Sequence, residues 1–117
     1  MAVEARPRRL EVYRTVSGKA PFEEWLDGLG NESVQAVIMI RLERIECGNL
    51  GQAKSVGGGV MEAKIDHGPG YRIYFGCAGP VVVILLCGGD KSTQKGDIAK
   101  AREYWKDFGN RRKARWR

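Results

Sequence analysis

The chain has 117 residues, 43% of them hydrophobic, and a formal net charge of +6 at pH 7. That length suits one compact domain spanning residues 1–117, and the composition excludes a disordered polar chain. No apolar run reaches the roughly 18–20 residues that cross a membrane, and none follows the arginines of the first ten residues, so neither a membrane span nor a signal peptide is expected.

Leu10 to Thr15 alternates and predicts a short first strand. Ala20-Pro21 opens a short helix with Phe22, Trp25, Leu26 and Leu29 on one face, closed by Gly28 and Gly30. Asn31 is placed to cap a second helix, which runs to Cys47 with an apolar stripe of Val34, Val37, Ile38, Leu42 and Ile45. Gly48-Asn49 stops it. After Gly57-Gly58-Gly59 comes a strand from Val60 to Asp66, a turn at His67-Gly68-Pro69-Gly70, and a return strand from Tyr71 to Gly76. Gly79-Pro80 turns the chain again into Val81 to Leu86, a continuous aliphatic run that suits a strand covered on both faces. Gly88-Gly89 is expected to end that strand. Lys95 to Phe108 reads as a last helix that buries Ile98, Ala101, Trp105 and Phe108, and residues 109–117 form a basic tail. Helices, then a meander, then a helix imply an α+β fold: a twisted antiparallel sheet of one short strand plus a three-stranded meander, packed by two N-terminal helices and one C-terminal helix.

The hairpin of residues 60–76 carries the most information. Centring its turn on Gly68 pairs Ile65 with Tyr71, Lys64 with Arg72 and Glu62 with Tyr74, so apolar side chains meet on one face and polar ones on the other. Directly opposed Lys64 and Arg72 repel one another. Either an anion bound between them relieves the repulsion, or Glu62 and Asp66 neutralise a solvated mixed-charge face. Lys91 follows Gly88-Gly89-Asp90 and adds a third cation near the same place, with Gln94 and Lys95 behind it. Residues 54–117 hold 13 Lys/Arg against 6 Asp/Glu, while residues 1–53 are close to balance, so an anionic partner is expected on the second half. Cys47, Cys77 and Cys87 are odd in number and widely spaced, which fits neither a disulfide framework nor a zinc site and favours a reducing cytoplasm.

The segments Phe22-Glu23-Glu24-Trp25-Leu26, Arg41-Leu42, Gly48-Asn49, Gly59-Val60-Met61-Glu62, Gly68-Pro69-Gly70-Tyr71-Arg72-Ile73-Tyr74-Phe75, Leu85 to Gln94 and Asp97-Ile98 stand in an order that resembles the phage, HigB-type branch of the RelE/ParE/HigB toxin superfamily. The resemblance spans roughly residues 10–108. It implies a RelE-like fold, a cognate helix-turn-helix antitoxin of the HigA kind as partner, and cleavage of mRNA, usually on the ribosome. It also implies that Lys64 matches a catalytic lysine, Arg72 the arginine that holds the phosphate, and Lys91 a basic residue that stabilises the transition state. The chain departs from RelE in two places. No tyrosine stands in Gln94 to Asp97, and Glu62 occupies a position where RelE has another lysine.

The expected chemistry is a metal-independent transesterification with no cofactor. Lys64 takes the proton of the RNA 2′-OH, Arg72 clamps the scissile phosphate, and Lys91 meets the developing charge, leaving a 2′,3′-cyclic phosphate and a 5′-OH. Lys54, Tyr74, Gln94 and Lys95 are candidate RNA contacts, and Glu62, His67 and Asp97 candidate accessory residues. A two-histidine mechanism is excluded, because His67 is the sole histidine. The competing expectation is a ParE-type toxin that binds DNA gyrase without chemistry. A metal-dependent nuclease built on Glu62, Asp66, Asp90 and Asp97 is disfavoured by the cations crowding the same face.

Overall fold

The computed structural model describes residues 7–115. Residues 1–6 and the last two residues of the basic tail lie outside the described residues. The order of elements is β1 (Arg9–Val12), α1 (Pro21–Gly28), α2 (Glu32–Glu46), β2 (Ala53–Ser55), β3 (Val60–Ile65), β4 (Tyr71–Ala78), β5 (Val82–Asp90), a 3-10 turn (Lys91–Thr93) and α3 (Gln94–Arg115). The class is α+β, as the order of patterns implied.

The sheet is five-stranded, in the order β1-β5-β4-β3-β2. It is mixed, which corrects the expectation of a wholly antiparallel sheet: β1 runs parallel to β5, pairing Arg9 with Val82 and Val12 with Leu85. The fifth strand, β2, pairs antiparallel with β3. Three residues, none of them fully buried, give no periodic signal, so β2 escapes a reading based on alternation.

Each helix packs where its apolar residues dictate. Asn31 caps α2 by accepting a hydrogen bond from the Val34 amide at 3.1 Å. Phe22 of α1 and Val34, Ile38, Leu42 and Ile45 of α2 close one core with Ala63, Ile65, Ile73, Phe75, Val83 and Leu85 of the sheet. The other face of the sheet holds a second core. There Val60, Tyr74, Ile84, Leu86 and Cys87 pack under Ala101 of α3, with Ile98, Trp105 and Phe108 half-buried around them. A β-bulge between β4 and β5 supports this core. Tyr74 pairs with Cys87 and Phe75 with Leu85, so Leu86 is an extra residue, and both it and Cys87 join the α3 side.

The diglycine does not end its strand; β5 continues through Gly88 and Gly89 to Asp90. The two glycines serve opposite faces. A Cβ on Gly88 would clash with the Trp25 ring, and one on Gly89 would fall on the Asp97 carboxylate. Similarly, Gly76 and Gly59 leave room for the Trp105 indole. Helix α3 runs well past Phe108, because nothing after Phe108 breaks a helix except a tolerated Gly109. Near its far end the Tyr13 hydroxyl donates to Asp107 at 2.6 Å, and Arg111 pairs with the same carboxylate at 2.8 Å.

Replacing Gly88 with Ala should cost on the order of 1–3 kcal/mol by overpacking against Trp25. The check is urea unfolding, with the midpoint lowered at unchanged slope. A second outcome concerns alkali. Burial and the Asp107 contact push the Tyr13 phenol up to about 12 from its usual 10. The neutral phenol is therefore favoured by the fold, and that stabilisation is complete below pH 10 and is lost as the pH rises through about 12. Tyr13→Phe should flatten part of the loss of stability over that range, as read by denaturant titrations at several pH values.

Candidate functional site

The hairpin forms in the register its sequence dictates. Ile65 pairs with Tyr71, Lys64 with Arg72 and Glu62 with Tyr74. What differs is the environment of the polar face. It is not a solvated surface, because α3 and its lead-in turn cover most of it. Glu62 is 2% exposed, Arg72 6% and Tyr74 0%. Lys64, nearer the turn, remains half-exposed.

Lys64, Arg72 and Lys91 line one open depression of about 340 Å³, together with Asp66, His67, Gly68, Pro69 and Gly70. Two devices bring Lys91 there. Register places Gly89 beside Arg72 and Asp90 beside Tyr71, so the end of β5 lies next to the start of β4. Asp90 then caps the turn: its carboxylate accepts from the Ser92 amide at 2.8 Å and the Ser92 hydroxyl at 2.6 Å. The Ser92 hydrogen bonds hold the Asp90 carboxyl below its usual range. Lys91, exposed, is the first residue of that capped turn.

Arg72 enters the depression from below. Its Nη1 donates to the Gly70 carbonyl at 3.1 Å, and its Nε lies 3.8 Å from Glu62 Oε1. Lys64 Nζ lies 3.5 Å from Asp66, a contact between exposed groups that is cheap to exchange for another anion. His67 is an exposed turn residue on the rim. The depression thus carries three cations against one carboxylate, which suits an oxyanion such as a phosphate.

The other residues singled out in the sequence fall in several places. Gln94 turns inward, its Nε2 donating to Glu62 Oε2 at 2.9 Å. Tyr74 is buried beside Glu62, and burial together with that carboxylate pushes its phenol up, so it presents no ring for stacking on a base. Asp97 accepts from the Thr93 hydroxyl and packs on Gly89, fixing the first turn of α3 rather than facing the depression. Lys54 is exposed on β2, 3.9 Å from Glu62, and Lys95 is exposed on the first turn of α3; neither lines the depression. Burial pushes the Cys87 thiol up to about 12, and its Sγ contacts the Asp97 carbonyl at 3.7 Å. Among the described residues, no group of three His, Cys, Asp or Glu side chains is placed to hold a metal ion.

A larger groove of about 790 Å³ was not apparent from the sequence. It lies on the α3 side of β1, where Arg9, Arg14, Arg111 and Arg112 surround Val12, Val82, Ile84 and Phe108. Its arginines come from both ends of the chain, and only the parallel pairing of β1 brings them together.

Inorganic phosphate added to the protein should shift the backbone amide resonances of residues 64–72 and of Lys91, and the shifts should weaken as sodium chloride rises. A two-dimensional amide spectrum recorded through such a titration is the check.

No family model matches the chain, and no solved structure matches it. Among the described residues, no helix is long and apolar enough to cross a membrane. The chain is 47% identical over 88 residues to a protein of Haemophilus influenzae described only as uncharacterized, an alignment that takes in 75% of this chain and 89% of that one. At that identity and coverage the chain belongs to the family of this Haemophilus influenzae protein.

Proposed function

We propose that the protein is a metal-independent endoribonuclease, a RelE-like toxin of a type II toxin-antitoxin module that cleaves mRNA on the ribosome in the cytoplasm and is silenced by a cognate antitoxin. The observation that carries this reading is the convergence of Lys64, Arg72 and Lys91 on one open depression large enough for a phosphodiester. RNA brings its own nucleophile, so the protein need only move protons and stabilise charge. Arg72 offers a fixed guanidinium to the scissile phosphate. Lys64, once it has left Asp66 and given up a proton to solvent as the RNA enters, takes the 2′-hydroxyl proton as the neutral amine. Lys91, which lines the same depression, stabilises the charge that develops on the phosphorane. The 5′-oxygen leaves as the alcohol, taking a proton from solvent, and a 2′,3′-cyclic phosphate remains.

Exposed cations elsewhere extend the footprint. Lys54 is exposed on β2 and Lys95 on the first turn of α3, and Arg111 and Arg112 lie at the far end of that helix. Such contacts to RNA backbone weaken steeply with salt.

The test is induced expression followed by mapping of transcript 5′ ends, with Lys64→Ala as the comparison because that side chain is half-exposed and its loss leaves the core intact. New 5′-hydroxyl ends in frame with codons are expected. Lys64→Ala should lower the cleavage rate by roughly 100-fold or more. Lys91→Ala should lower it as well. Intact transcripts accompanied by DNA damage would instead indicate a ParE-type toxin acting on gyrase.

A further inference from the structure

Glu62 is the most deeply buried charged side chain of the described chain, at 2% exposure. A carboxylate removed from water is costly unless paired and hydrogen-bonded. Its partners come from three separate elements. Gln94 of α3 donates to Oε2 at 2.9 Å. Arg72 of β4 approaches Oε1 with its Nε at 3.8 Å, and Lys54 of β2 approaches the same oxygen at 3.9 Å. Tyr74, directly across the ladder, closes the remaining side.

The view from Arg72 is complementary. Its Nε is buried and makes no hydrogen bond, and its Nη1 is tied to the Gly70 carbonyl. Glu62 therefore attracts the guanidinium from behind, through the Nε edge, while Gly70 fixes its rotation. What remains for a ligand is Nη2 and the second Nη1 proton of a side chain that lines the depression. A guanidinium held in one plane recognises an oxyanion at a lower entropic cost than a free one.

We propose that Glu62 is a positioning residue for Arg72: buried beneath the first turn of α3, it holds the guanidinium by its Nε edge so that the Nη edge faces an incoming phosphate. Gln94, which holds Glu62, belongs to the same device and couples the seating of α3 to the aim of Arg72. The catalytic consequence rests on the ribonuclease reading; the geometric one does not.

Glu62→Gln keeps the shape and the amide contact but removes the charge that faces Arg72. Two readouts are taken on the folded variant. The first is the Arg72 Nε–H signal in a 1H–15N spectrum, assigned by its loss in Arg72→Lys; it should move and exchange faster with water. The second is RNA cleavage, where kcat should fall up to about 100-fold from misplacement of the clamp while KM changes little. Glu62→Asp, which keeps the charge one methylene further back, should recover part of both readouts, and it replaces Glu62→Gln if that variant does not fold. An unmoved Arg72 signal, or a kcat that does not fall, overturns the proposal. If the wild-type protein cuts no RNA, the ribonuclease reading fails, and the Arg72 signal alone still decides whether Glu62 positions it.

Discussion

The seating of α3 on the sheet is the constraint on which the rest of the structure depends. It is achieved by removing side chains rather than by adding them. Trp105 rests where Gly59 and Gly76 have no Cβ, and Asp97 rests where Gly89 has none. Ala101, fully buried, lies between these two docking points. A helix whose sequence is largely polar can cover a sheet only if the few apolar residues it has approach closely. The glycines permit that approach, and they fix the helix along its axis as well as its height. Since the capped 3-10 turn leads directly into α3, the position of Lys91 follows from the same docking.

Covering this face changes what its polar residues are. Glu62 and Arg72 would form an ordinary exposed pair on an open hairpin, and exposed pairs contribute about 0–1 kcal/mol. Under α3 the same two charges are desolvated, and separating them becomes costly. The depression beside them is open, lined on one side by the hairpin turn, Asp66 to Gly70. One end of Arg72 is thus held in a low-dielectric interior and the other faces water. That boundary is where a fixed positive charge acts most strongly on an arriving anion.

The hairpin, its register and the helices on the other face were legible in the sequence because each follows a local period. Alternation of two set the pairing of residues 60–76, and the 3.6-residue stripe with Asn31 set α2. The direction of β1 was not legible. Its parallel partner, β5, is some 70 residues away along the chain, and alternation marks a strand without marking its neighbour. The burial of Glu62 and Tyr74 was hidden for a related reason. A polar face reads as solvent-facing unless the sequence names the element that covers it, and α3 is itself mostly polar. Gly88-Gly89 misled in the opposite sense. Diglycine usually breaks a strand, but here both residues accommodate groups from other elements, Trp25 on one face and Asp97 on the other, and local pattern contains neither. As for the site, the three cations could be gathered from register and chain order, whereas the inward turn of Gln94 could not.

The three cations of the depression differ in freedom, and that difference has a physical consequence. Arg72 is held by its Nη1 bond to Gly70 and by Glu62 beside its Nε, while Lys64 and Lys91 are exposed ammonium groups on flexible stems. Immobilising a long side chain on binding costs about 0.5–1.5 kcal/mol. For Arg72 that ordering is complete before a ligand arrives, so its contact sets the ligand's orientation. Lys64 and Lys91 keep their hydration and entropy until a ligand is present, so they respond to where negative charge accumulates. One fixed donor and two adaptable ones suit an anion whose charge redistributes during a reaction better than one whose charge is static, because the fixed group preserves alignment while the mobile groups follow the change. The glycines that seat α3 therefore bear on Arg72 indirectly, through the Gln94 of that helix and the Glu62 that Gln94 holds.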